Sequence, residues 1–87
     1  MYNYSEVKPK VFTEDGQKVF LAIRDNVHNL LDLAGAVRMT EAIRGSLGSS
    51  WTMLACVDRL VELDEIRELT DDSVTQLHRV FVINLQQ

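Results

Sequence analysis

The stretch AVRMTEAIRGSLGSSWTMLACVDRLVELDEIREL, Ala36 to Leu69, decides the fold. Ala36-Val37-Arg38-Met39 is too short for a helix and fits a small strand with Val37 and Met39 on one side. Thr40 is placed to cap a short helix over Glu41 to about Leu47, in which Ile43 and Leu47 share a face. Gly45 weakens that helix by up to ~1 kcal/mol relative to alanine, and close packing in a tight corner would explain it. Gly48-Ser49-Ser50 reads as a turn, with either serine able to cap the next helix. That helix is expected from about Ser50 to Asp64. Met53, Leu54, Val57, Leu60 and Val61 form one apolar stripe, with Trp51, Thr52, Ala55, Arg59 and Glu62 opposite. Ile66 to Leu69 then reads as a short strand.

Upstream, Thr13 can cap a long helix over Glu14 to Leu33, with Glu14 and Asp15 suiting the positive end of its dipole. Val19, Phe20, Ile23, Val27, Leu30, Leu31 and Ala34 recur at helical spacing, and Gly35 is placed to end the helix in the left-handed conformation. Met1 to Lys10 is polar and contains the only proline, Pro9, so residues 1–12 read as an extended arm ahead of a domain over residues 13–87. Tyr2 and Tyr4 belong either to a flexible tail or to an arm that packs on a partner subunit. Downstream, Thr70-Asp71-Asp72-Ser73 has turn chemistry. Leu77 to Leu85, LHRVFVINL, is rich in β-branched and aromatic residues and reads as the return strand of a hairpin. The expected class is α+β: three helices and a small antiparallel sheet made of one short strand and the C-terminal hairpin.

Eighty-seven residues make one domain with a thin stability margin. Nine Lys+Arg stand against thirteen Asp+Glu, for a net charge of −4. A domain whose only task was gripping phosphates would be basic, because phosphate neutralisation supplies most non-specific affinity. One cysteine, Cys56, excludes an intrachain disulfide and agrees with a reducing, cytoplasmic setting. MYNYSEVKPK has no apolar core segment and does not read as a signal peptide. No apolar run approaches the ~20 residues that span a bilayer, so no membrane partner is expected.

The order helix, short strand, helix, helix, hairpin resembles the winged helix-turn-helix family, best known from bacterial transcription regulators. The resemblance covers about Thr13 to Leu85, and DRLVELDEIREL, Asp58 to Leu69, is its most specific part. Many such regulators have a glycine near the position of Asp64; this chain departs from that pattern, although aspartate can also adopt the left-handed conformation. TEAIRGSLGSS, Thr40 to Ser50, matches the family's second helix and turn loosely, one residue short and with Arg44 where alanine is common.

In that family the third helix enters the major groove and the wing touches the DNA backbone. The resemblance therefore implies Ser49, Ser50, Trp51, Thr52 and Ala55 as the residues facing DNA or a partner. It places Arg59 near a phosphate and Arg38, Arg44, Arg67 and Arg79 as further backbone contacts. It also implies a homodimer, the common state of such proteins. Yet base readout leans on Arg, Lys, Asn and Gln, and the first two turns of this helix hold none of them. Asp71 and Asp72 at the wing tip would repel phosphates. Trp51 is either an exposed anchor for a protein partner or folds back over the turn. Two functions stay open: a DNA-binding transcription regulator or accessory factor, and a protein–protein interaction module that has lost DNA readout.

Nothing in the sequence points to an enzyme. His28, His78 and Cys56 lack the spacing of a zinc site, and Cys56 reads as a small buried hydrophobe. Gly-rich phosphate loops, HExxH and GxSxG are absent. No metal or cofactor is expected.

Overall fold

The computed structural model describes residues 1–85; the last two residues of the domain expected over 13–87 lie outside the described residues. Four helices and three strands follow one another: α1 (Tyr4–Val11), α2 (Glu14–Ala34), β1 (Val37–Arg38), α3 (Met39–Ala42), α4 (Ser50–Glu62), β2 (Ile66–Glu68) and β3 (Val80–Ile83). The class is α+β. The strands form one antiparallel sheet in the order β1-β3-β2, with Val37 opposite Phe81 and Ile66 opposite Ile83.

α2 begins and ends where its caps dictate. The Thr13 hydroxyl accepts from the Gly16 amide at 3.0 Å, and Gly35 adopts φ 79°, returning its amide to the Leu31 carbonyl. Its inward stripe, Phe20, Ile23, Val27 and Leu31, meets Leu54, Val57 and Leu60 of α4 and Val37, Ile66 and Phe81 of the sheet in one core. Asp64 takes φ 60°, closing α4 without a glycine.

Four expectations are corrected. Residues 4–11 are not an extended arm. Asn3 caps them, its side chain accepting from the Ser5 amide, and they form α1, which buries Val7 and Val11. Burying a valine contributes about 2 kcal/mol, and two of them dock a helix too short to persist alone. The second expected helix is only Met39–Ala42. Its N-terminal end is set by the Arg38 amide donating to Glu41 Oε1 at 3.1 Å, not by Thr40, whose hydroxyl donates to the Leu77 carbonyl at 2.8 Å. The Asn26 amide donates to the carbonyls of Glu41 and Ala42, both at 2.9 Å, and so fixes the end of α3 on α2.

Gly45 is not explained by close packing. It lies beyond α3 at φ 79°, and an added Cβ would meet open space. The glycine supplies a left-handed turn. The return strand begins only at Val80, because Gln76–His78 coils into a 3-10 turn. β1 offers just two residues for pairing, and the ladder stops with it.

Candidate functional site

The surface expected to meet DNA or a partner starts at the N-terminus of α4. Ser49 caps the helix, accepting from the Thr52 amide at 3.1 Å, and its hydroxyl lies 2.9 Å from the Thr52 hydroxyl. The two hydroxyls are thus engaged with each other. Ser50 is exposed. Trp51 is 45% exposed. Its ring meets the edge of Tyr2 in a T-shaped contact, centroids 6.5 Å apart.

Further along α4 the expected surface is no longer outside. Ala55 is 0% exposed, so it touches no external molecule, and its place among the surface residues is corrected. The cause is α1. Trp51, Ala55, Asp58, Arg59 and Glu62 fall on one stripe of α4 by helical spacing, and the N-terminal segment contacts four of them. Tyr2 meets Trp51 and donates from its hydroxyl to Asp58 Oδ2 at 2.6 Å. Tyr4 donates to Glu62 Oε1 at 2.9 Å, and Lys8 donates to Glu62 Oε2 at 2.8 Å. The Arg59 guanidinium sits 5.0 Å from the Phe12 ring centroid and pairs with Glu62 at 2.6 Å. Small Ala55 in the middle of this stripe lets the two helices approach.

Hydrogen bonds from Lys8, Arg59 and Tyr4 hold the Glu62 carboxyl down at about 2. Burial, and then the hydrogen bond to Asp58, raise the Tyr2 hydroxyl above its ordinary value. Burial alone pushes the Cys56 thiol up to about 11, which keeps it an unreactive core group.

The base of the β2–β3 hairpin adds a polar cluster that sequence reasoning missed. Arg79, 13% exposed in its side chain, lies between Asp58 and Glu68. It donates to Asp58 Oδ1 at 2.6 Å and to Glu68 Oε1 and Oε2 at 2.8 and 3.0 Å. Burial opposes the Arg79 charge, yet Glu68 and Asp58 outweigh it and raise the pKa. Glu68 is likewise lowered, burial being overcome by hydrogen bonds from Arg79 and Thr70. A cleft of ≈ 370 Å³ opens over this cluster, lined by Tyr2, Tyr4, Asp58, Glu68, Arg79, Asp71 and Asp72, among others. Four carboxylates against one guanidinium make it hostile to phosphate. At the tip, Asp71 accepts from the amide and hydroxyl of Ser73.

Arg38 stands apart. It is exposed on β1, in a shallow hollow with Ala36, Glu41 and Val80, and shares no hydrogen bond or cleft with the α4 residues. Arg79 is removed from the expected backbone contacts by its two carboxylates. Among the described residues no group of three or more His, Cys, Asp or Glu could hold a metal ion, and no helix is long and apolar enough to cross a membrane.

Lys8, Asp58 and Glu68 were missed, as were the docking of Tyr2 and Tyr4 on α4 and the pairing of Arg79 with two carboxylates. A signal for Tyr2, Tyr4 and Lys8 exists: Tyr4, Val7 and Val11 recur at helical spacing behind Asn3, a good N-cap. Pro9 and the density of polar residues mask it. No protein-family model matches the chain, and no curated protein or solved structure matches it either.

Proposed function

We propose that this chain is a non-catalytic winged-helix domain turned to protein recognition, in which DNA readout has been lost. One observation carries the reading: the chain's own α1 lies along the stripe of α4 that would enter a groove, with Ala55 sealed beneath it. A duplex would have to displace Val7 and Val11 from the core to reach that stripe. The charges agree, since Arg59 and Arg79 are tied to carboxylates within the molecule. The wing presents Asp71 and Asp72 where a wing that touches DNA needs cations.

DNA binding remains the second reading. The element order and the β1-β3-β2 sheet favour it, as does Lys10, which shares a cleft with Ser49 and Thr52 at the start of α4. Fluorescence anisotropy of a labelled random duplex at two salt concentrations separates the two. Protein recognition predicts no binding even at low salt. Binding with a steep salt dependence, reduced by both Arg38→Ala and Arg59→Ala, would establish the DNA reading instead.

A further inference from the structure

We infer that the groove between α2 and the α3–α4 connection is the docking site, and that its occupant is an acidic amphipathic segment of a partner protein. The inference rests on the protein-recognition reading and names the surface and the partner chemistry for it. The groove encloses ≈ 420 Å³ between Lys18, Val19 and Ala22 of α2 and Arg44 and Leu47 of the connection. Leu47 is 84% exposed. An exposed leucine alone means little, but this one stands at the edge of a groove floored by Val19 and Ala22.

Charge selects the occupant. The charged residues that line the groove, Lys18 and Arg44, are both cations. Neither takes part in an ion pair among the described residues, a state they share with Lys10, Arg38 and Arg67, whereas Lys8, Arg24, Arg59 and Arg79 are paired. In a chain of net charge −4, this leaves an apolar floor with unneutralised positive margins. Such a groove complements a segment that is apolar on one side and carries Glu or Asp at its edges. The walls are helix and turn, so no strand edge is available for backbone pairing, and side chains must carry recognition. A second cleft of ≈ 210 Å³ continues past Val19, with Lys10, Asp15, Ser49 and Thr52 in its lining.

The test uses the full chain, labelled with nitrogen-15 and followed by amide chemical shifts. The probes are a synthetic Glu/Leu peptide with leucines at helical spacing, its Lys-for-Glu counterpart, and a random DNA duplex. The Glu/Leu peptide should shift Lys18, Val19, Ala22 and Arg44 and bind at least tenfold more tightly than the Lys/Leu peptide. Leu47→Asp should abolish that binding while leaving the rest of the spectrum in place, and Arg44→Glu should reverse the preference between the peptides. Equal binding of both peptides would overturn the inference. Shifts centred on Trp51 and Tyr2 would overturn the groove assignment while leaving protein recognition standing. Shifts caused by the duplex alone would overturn both. Self-association in the ultracentrifuge that Leu47→Asp abolishes would make a second copy the occupant and so overturn the partner named here.

Discussion

The side of α4 that α1 covers and the groove between α2 and the α3–α4 connection are finished in opposite ways. On the covered side Lys8 and Arg59 share Glu62, and Arg79 bridges Asp58 and Glu68. The valines beneath are buried, and the tyrosine hydroxyls donate across the helix pair. At the groove Lys18 and Arg44 have no such partners among the described residues, and Leu47 projects into solvent. The contrast teaches where this domain satisfies itself and where it does not. A surface whose polar groups are mutually paired has little left to offer an outside molecule. One that sets apolar side chains beside unpaired cations keeps that capacity, which is why the docking site is proposed there.

The contrast is broken most severely at Arg79. Arg79→Met leaves Asp58 and Glu68 without their shared cation in a half-buried setting, and should lower stability by about 3 kcal/mol in urea denaturation. A loss below about 1 kcal/mol, the scale of an exposed ion pair, would show the cluster to be ordinary surface. Gly16→Ala should cost about 2 kcal/mol. A Cβ there would stand 1.9 Å from the Lys10 carbonyl oxygen, forcing the α1–α2 corner open. Unchanged urea stability in this variant would mean that α1 is not held as described.

Acid should loosen the covered side more gently. The Glu62 carboxyl is lowered from 4.5 to about 2. A depressed carboxylate stabilises the fold above its unfolded value and loses that contribution as the pH falls through its folded one. The contact between α1 and α4 should therefore weaken as the pH drops from about 4.5 towards about 2. Glu65 and Glu68, also lowered, act in the same direction. The melting temperature should fall over that window, and less steeply in Glu62→Gln; parallel curves would contradict the latch. The smallest effect belongs to the open side. Leu47→Asp should change urea stability by less than about 0.5 kcal/mol, and a larger loss would mean Leu47 is part of the fold rather than of a docking surface.

Much of the fold was legible because single residues announce boundaries. Thr13 and Gly35 bracket α2, Ser49 starts α4, and Asp64 takes the left-handed turn where the resembling family has glycine. The β-branched and aromatic residues of Val80–Ile83 located β3. Illegible parts were those that depend on a second layer. Helical spacing correctly turned Leu54, Val57 and Leu60 inward. It also turned Ala55 outward, since spacing alone assumes one core and α4 is covered on two sides. α1 escaped notice because docking, rather than propensity, holds it together, and Pro9 argues locally against it. The Asp58–Arg79–Glu68 cluster joins positions 21 and 11 residues apart, a proximity that only the β-hairpin creates. α3 came out shorter than expected because Asn26, a residue of another helix, terminates it.

The central claim is that α1 is a permanent cover of α4. Native-state hydrogen exchange tests it most directly, by comparing the amides of Lys8, Lys10 and Val11 with those of Leu54, Val57 and Leu60. A permanent cover predicts that both sets exchange only through global unfolding, with the same free energy of opening. Exchange of the α1 amides through a local opening, while the α4 amides stay protected, would contradict it and return the outer face of α4 to the solvent.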